Sequence, residues 1–277
     1  MSDAGASPAT PRHAATVVLL RDGGGGIEVF LMRRPAKSSF AADALVFPGG
    51  SIDAADGSDE VLAHAPGFDV DVAARRMRLD GDGDSRRLCA ALCVAAVRET
   101  FEESGILIGG RAGGAGLSEH DADRLAAARA DCLDGSGFAA VLERHGLLIA
   151  PEKLSYVAHF ITPASEPRRF DTRFFVTAAP VAQPAVIHPG EATHGGWHSP
   201  GDVLSRHGDD LTRLMPPTRI LCHEVARHDR VESVIGDLGS RPVAQVLFDL
   251  RDVIGGRLPD RIPLPDERYP ADDSPAA

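Results

Sequence analysis

Arg98-Glu-Thr-Phe-Glu-Glu-Ser-Gly-Ile106 places three carboxylates, Glu99, Glu102 and Glu103, at relative positions 0, +3 and +4. On an α-helix those positions share one face. Stepping roughly 100° per residue keeps the three glutamates within about 50° of a common direction. Cys93, Val94, Val97 and Phe101 fall on the opposite side, so the segment predicts an amphipathic helix with an apolar stripe and an acidic outer face. Gly105 supplies the stop, because glycine enters the left-handed C-cap conformation most easily. Two readings of the acidic face are open from the spacing alone. It is a solvated surface pattern, or it is a set of hard oxygen ligands for a divalent ion such as Mg²⁺ or Mn²⁺, which would relieve the mutual repulsion.

Upstream, Leu45-Val-Phe-Pro-Gly-Gly50 reads as a short buried strand that ends abruptly. Glycines at such an end let the backbone approach a ligand and offer a carbonyl without a side chain in the way. Together the two stretches resemble the Nudix hydrolase signature, Gly-x5-Glu-x7-Arg-Glu-U-x-Glu-Glu-x-Gly-U, where U is usually bulky and apolar. Arg98 to Ile106 carries every fixed residue of the second half, with Thr100 atypical at a U position. Gly49 and Gly50 resemble the glycines that open it. The first half departs from the pattern: Asp56 stands where the family has Glu, and 48 positions separate Gly50 from Arg98 in place of 14. The spacing implies an insertion of 34 residues within about 57–88, with a short helix around Val70 to Leu79. Loops of that length are normally functional or disordered.

An insertion at this point is similar to the peroxisomal coenzyme A diphosphatase branch of the family and its bacterial relatives. Arg168-Arg-Phe-Asp-Thr-Arg-Phe-Phe175, Trp197-His-Ser-Pro200, Met215-Pro-Pro217 and Leu264-Pro-Asp266 also resemble that branch. The resemblance implies an α/β fold, a Nudix-type α/β/α sandwich with a mixed β-sheet and extra helices in the insertion and C-terminal region. It implies Glu99, Glu102 and Glu103 as ligands of Mg²⁺ or Mn²⁺, with the Gly49 carbonyl completing the set and Glu99 alternatively positioning or deprotonating the water. Arg98 would orient a glutamate by a charge-assisted hydrogen bond, and Gly50 and Gly105 would be structural. Glu191 is the candidate for the further carboxylate that such enzymes bring from a later loop, a solvated loop glutamate being the alternative. Arg33, Arg34, Arg169 and Arg173 are the arginines offered for phosphate or adenine contacts, against equally ordinary roles at strand ends and edges. The activity implied is hydrolysis of coenzyme A or acyl-coenzyme A to 3′,5′-ADP and (acyl-)4′-phosphopantetheine. ADP-ribose or NADH is the alternative substrate class, and a nucleotide-sensing module without turnover is the reading from another class. A small-molecule nucleotide is the expected partner, and the family's habit allows a homodimer.

Composition agrees with a soluble globular protein: 43% hydrophobic and 25% charged residues in 277. The net charge of −11 argues against a general nucleic-acid or membrane surface. Four cysteines at irregular spacing do not make a disulfide framework; Cys89 and Cys93, one helical turn apart, read as core. No apolar run resembles a signal peptide or a membrane span, so a cytoplasmic location is expected. The chain divides into a mobile tail (1–13), a single domain (14–255) and a Pro-rich C-terminal tail (256–277). Strands are expected at Ala15 to Leu20 and Ile27 to Arg33 as a hairpin, and at Lys153 to Thr162 and Arg169 to Ala178 as a pair. A further strand is expected at Glu191 to His198. Additional helices are expected within about 118–145 and 217–254, at Ser118 to Asp131, Phe138 to His145, Pro217 to Arg227 and Pro242 to Ile254, with another near Pro200 to Ser205.

Overall fold

Continuous apolar runs, Val17 to Leu20 and Val29 to Met32, on either side of a glycine turn build the first hairpin. β1 (Arg12–Gly23) and β2 (Gly26–Arg33) pair antiparallel with Leu20 opposite Val29, and Gly24-Gly25 forms the two-residue turn. The computed structural model describes residues 9–37, 42–113, 116–187, 192–210, 212–247 and 258–265. β3 (Leu45–Val46) pairs with the end of β2, and β4 (Gly49–Ser51) crosses to pair with β1, Gly49 opposite Thr16 and Gly50 opposite Ala15. The chain then leaves the sheet for α1 (Asp59–Leu62), α2 (Val70–Met77) and α3 (Gly83–Ser104). The span 57–88, expected as an inserted loop with one helix, holds α1, α2 and the first turns of α3. Asp69 caps α2 by accepting from the Asp71 and Val72 N–H groups, and Asp82 caps α3 through the Ser85 N–H.

Beyond α3, β5 (Gly109–Arg111) precedes α4 (Ala122–Leu133) and α5 (Phe138–His145), and β6 (Leu147–Ile149) returns to pair with β5 as a separate two-stranded sheet. β7 (Ser155–Ile161) and β8 (Phe170–Ala178) pair antiparallel as expected, and β8 lies parallel to β1. β9 (His194–His198) adds to β2. α6 (Pro200–His207), α7 (Pro216–Val225), α8 (Val231–Ser240) and β10 (Gln245–Leu247) complete the described elements. The main sheet runs β10-β7-β8-β1-β2-β3, with β4 on β1 and β9 on β2. Parallel β1/β8 and β7/β10 pairs among antiparallel ones make it mixed.

The two-residue period of the central strands sends side chains to both faces, and both faces are covered. Ala15, Val17 and Leu19 of β1 pack with Val94, Val97 and Phe101 of α3 and with Val141 and Leu142 of α5. Val18 and Leu20 point the other way, onto Val203 of α6, Ile220 and Leu221 of α7, and Val234 and Leu238 of α8. This is the α/β/α sandwich. The stripe read from the sequence, Cys93, Val94, Val97 and Phe101, is buried as expected. Truncating the fully buried Phe101 to Ala would cost about 3–5 kcal/mol. All four cysteines are free and buried, consistent with packing.

Three expectations need correction. Pro242 to Ile254 was expected to be helical, but Gln245–Leu247 is a strand parallel to β7, and 248–254 lie outside the described residues. The helix lies earlier, in Val231–Ser240, where two glycines weaken the propensity signal and burial of Val231, Val234 and Leu238 outweighs it. The tail boundary also moves: Arg12 and His13 belong to β1, and the Arg12 N–H donates to Arg169 O at 2.9 Å. At the other end, 258–265 is held against the fold, with Ile262 buried and its N–H donating to Glu224 Oε1 at 2.7 Å. β5 at Gly109–Arg111 is held by its pairing with β6. Among the described residues no helix is long and apolar enough to cross a membrane.

Candidate active site

The two signature halves, far apart in sequence, meet through one guanidinium. Arg98 on α3 donates from Nε to Asp56 Oδ1 at 2.8 Å and from Nη2 to Asp56 Oδ2 at 2.9 Å, a bidentate pair. Its Nη2 also reaches Ser51 O at 3.1 Å, tying α3 to β4. Nη1 turns outward and donates to Glu99 Oε1 at 2.9 Å and Glu102 Oε2 at 3.1 Å. Asp56 and Arg98 are 2% and 6% exposed, so this contact is part of the interior. Asp56 therefore does the orienting at the position where the signature has Glu. The intervening span folds as α1 and α2, burying Val61, Ala74 and Met77 in the core shared with α3, and leaves the two ends together.

β4 supplies the opposite wall. The Val17 N–H donates to Pro48 O and the Ile52 N–H to His13 O, so ladder alternation turns the N–H and C=O of Gly49 away from β1. The Gly49 N–H donates to Glu103 Oε2 at 2.8 Å. Both glycines are required by contact. A Cβ on Gly49 would lie 2.3 Å from Ala15 O, and one on Gly50 would lie 2.4 Å from Glu99 Cδ. Gly105 closes α3 in the left-handed conformation, φ +74°, its N–H donating to Phe101 O at 2.9 Å.

The electrostatics are one-sided. Arg98 has Asp53, Asp56, Glu99 and Glu102 within 4 Å. Burial disfavours its charge, yet the Asp56 hydrogen bond and the charges of Glu99, Asp56 and Glu102 outweigh that and raise its pKa. Burial pushes the Glu99 carboxyl up to about 7; Arg98 opposes the shift, and the charges of Glu102 and Asp56 add to it. Glu102 is also raised, again first by burial. Among the described residues no three His, Cys, Asp or Glu side chains form a ready-made metal cage. Glu99 and Glu102 point their carboxylates at Arg98, and Glu103 points its own at Gly49. The side chains are nonetheless all hard-oxygen donors, with more negative charge than Arg98 neutralises, a set that could hold a divalent cation.

The other candidates divide. Arg33 is paired with Asp43 at 2.5 Å, and Asp43 is also paired with Arg213. Arg34 continues the strand end, its N–H donating to Ala44 O. Arg169 braces the main chain at Thr162 O and Ala9 O. Arg173 is buried, donating to Asp171 Oδ1 at 2.6 Å and to His13 Nδ1 at 3.2 Å, while His159 also bonds Asp171. Register places His159, Arg173, Ala15 and Gly50 in one row across β7, β8, β1 and β4. Glu99 rests on the Gly50 end of that row. Glu191 lies outside the described residues. A cavity of about 560 Å³, lined in part by Trp197, His198 and Arg206, lies between β2, β9 and α6, and no residue of α3 lines it. Trp197 packs edge-on against Phe30 with Arg21 over its ring.

Arg129 was missed. It stands with Leu125, Ala128 and Cys132 on the buried side of α4 and reaches the end of α3. A charged residue on an apolar stripe was the available signal.

Residues 4–227 match the family described as the NUDT19 Nudix domain. The chain is similar to the acyl-coenzyme A diphosphatase NUDT19 of Xenopus laevis, 27% identical over 231 residues, covering 71% of this chain and 60% of that protein. It is equally similar to the protein of that name from Gallus gallus, 27% identical over 228 residues, with 69% and 58% covered. The chain thus spans about three fifths of the length of these curated relatives. Among solved structures, a Nudix hydrolase from Alicyclobacillus acidocaldarius superimposes with a TM-score of 0.63 at 26% identity, over 82% of this chain and 96% of that one. With residues 4–227 matched by that domain, the chain belongs to the Nudix hydrolase family, in the branch of the NUDT19 Nudix domain.

Proposed function

We propose that the chain hydrolyses the diphosphate linkage of coenzyme A or acyl-coenzyme A, giving 3′,5′-ADP and (acyl-)4′-phosphopantetheine. The observation that carries this is the gathering of Glu99, Glu102 and Glu103 between β4 and α3, with the buried Arg98 guanidinium against Glu99 and Glu102. The names of the two vertebrate relatives support the substrate class. Glu102 and Glu103, with the outward Gly49 carbonyl, would hold Mg²⁺ or Mn²⁺. Glu99 would either join them or take the proton of the attacking water. When bound, the divalent ion supplies charge neutralisation on the phosphoryl oxygens and a more acidic water. Arg98 keeps the carboxylates on one side of α3, and Gly50 leaves the space that Glu99 occupies. Arg173, the one offered arginine in register with Gly50, is the best placed to meet a phosphate, and Arg169 serves the main chain.

The test is turnover of coenzyme A, acyl-coenzyme A, ADP-ribose and NADH across a titration of Mg²⁺ and of Mn²⁺. Metal-dependent release of 3′,5′-ADP, fastest with the coenzyme A substrates, is expected. Preferred cleavage of ADP-ribose or NADH would move the chain to the alternative substrate class. Nucleotide binding that survives EDTA, with no turnover of any substrate, would end the enzyme reading.

A further inference from the structure

The last turn of α3 is an adverse place for acidic residues. A helix C-terminus carries the negative end of the dipole, and its final carbonyls lack intrahelical donors. Glu102 and Glu103 lie in that turn, and it contains no Lys or Arg. Arg98 answers the side chains of Glu99 and Glu102; the carbonyls are answered from a different element. Arg129 on α4 donates from Nε to Glu102 O at 2.8 Å and from Nη2 to Glu103 O at 2.7 Å. Its Nη1 donates to Val186 O, and the Val186 N–H in turn donates to Ser104 O at 2.7 Å. Arg129 is 9% exposed. At Gly105 a Cβ would come within 3.3 Å of Arg129 Nη1, so the glycine at the helix stop also leaves room for the clamp.

We propose that Arg129 is a positioning residue of the active site. Its planar fork neutralises the carbonyl end of α3 and fixes the two consecutive peptide groups from which Glu102 and Glu103 project. This rests on the reading of Glu99, Glu102 and Glu103 as the divalent-ion site. Rotation of the last turn would swing both carboxylates at once, and holding two carbonyls with one rigid group resists that rotation. The residue lies outside the signature, on a helix that follows it, so a segment with no catalytic group governs the geometry of the ligands. Lysine is a poor substitute, because a point charge cannot span two carbonyls in the plane of a guanidinium.

The test compares wild type, Arg129→Met, Arg129→Lys and Glu103→Gln in the full chain. Mn²⁺ affinity is measured without substrate, alongside thermal melting and steady-state kinetics on coenzyme A. Arg129→Met is expected to raise the Mn²⁺ dissociation constant about tenfold or more and to shift the metal concentration for half-maximal activity in parallel. The KM for coenzyme A should change less than kcat, and Arg129→Lys should lie between. A folded Arg129→Met that binds Mn²⁺ like wild type overturns the inference. If the Met variant does not fold, Arg129→Lys decides, since wild-type affinity there overturns it equally. Should Glu103→Gln bind Mn²⁺ like wild type, the metal-site reading itself fails. Loss in Glu103→Gln without loss in Arg129→Met removes only the positioning role.

Discussion

Two buried carboxylate–arginine clusters lie on opposite faces of the sheet, and their charges are matched in different ways. On α7, Glu224 is fully buried, and each of its oxygens is engaged, one by Arg241 Nη1 at 3.1 Å and the other by the Ile262 N–H at 2.7 Å. Arg241 in turn holds Asp237, and the Arg76 guanidinium of α2 donates to Gly239 O and Arg241 O at the end of α8. That cluster ties α2, α7, α8 and the segment at Ile262 together. On α3, one guanidinium serves four carboxylates, and Glu99 is left with a carboxyl pushed up to about 7. A buried pair with matched partners closes a fold. A cluster with surplus negative charge keeps a place for a cation, and that surplus separates a site from a strut.

Breaking each cluster in turn tests the distinction. Glu103→Gln removes one charge from the surplus side and should lower kcat about 100-fold or more with an unchanged melting temperature; turnover near wild type would contradict the ligand assignment. Glu224→Gln removes a matched partner and should cost about 3–5 kcal/mol. That would appear as a fall of several degrees in Tm with specific activity per folded molecule preserved. A drop in activity without loss of stability would erase the contrast. Gly50→Ala tests the wall of the site, since the new Cβ would fall 2.4 Å from Glu99 Cδ. Displacement of that carboxylate should reduce turnover by about tenfold, with little change in stability.

The smallest effect concerns pH. Because Glu99 titrates near 7 in the fold, above its ordinary 4.5, the folded chain holds this proton more firmly than the unfolded chain. Its contribution to stability is therefore complete below about 4.5 and lost as pH rises through about 7. Melts of the ion-free protein should show wild type losing stability relative to Glu99→Gln between those values. A difference between the two proteins that does not vary with pH would show that the carboxyl is not raised.

Much of this was legible in residue order. The spacing of Glu99, Glu102 and Glu103, the apolar stripe of Val94, Val97 and Phe101, and the glycine pair at 49–50 are local patterns, and local geometry preserves them. α5 was read at its observed bounds because Phe138, Val141 and Leu142 repeat at helical spacing before Gly146. The failures are of another kind. β5, β6 and β10 are three residues each and exist because a partner strand lies alongside them. α8 contains two glycines and is stabilised by what it covers.

The sequence by itself determined the local pattern: three carboxylates on one helical face, a glycine-rich strand end, and a signature divided by an insertion. Helical periodicity and glycine's conformational freedom act within a few residues, so they can be read from order alone. The tertiary structure decided which groups meet. It brought Asp56 to Arg98 across 42 residues, placed Arg129 under the carbonyls of Glu102 and Glu103, and set Arg173 in register with Gly50. These contacts depend on how strands pair and helices pack, and neither is encoded at any fixed distance along the chain.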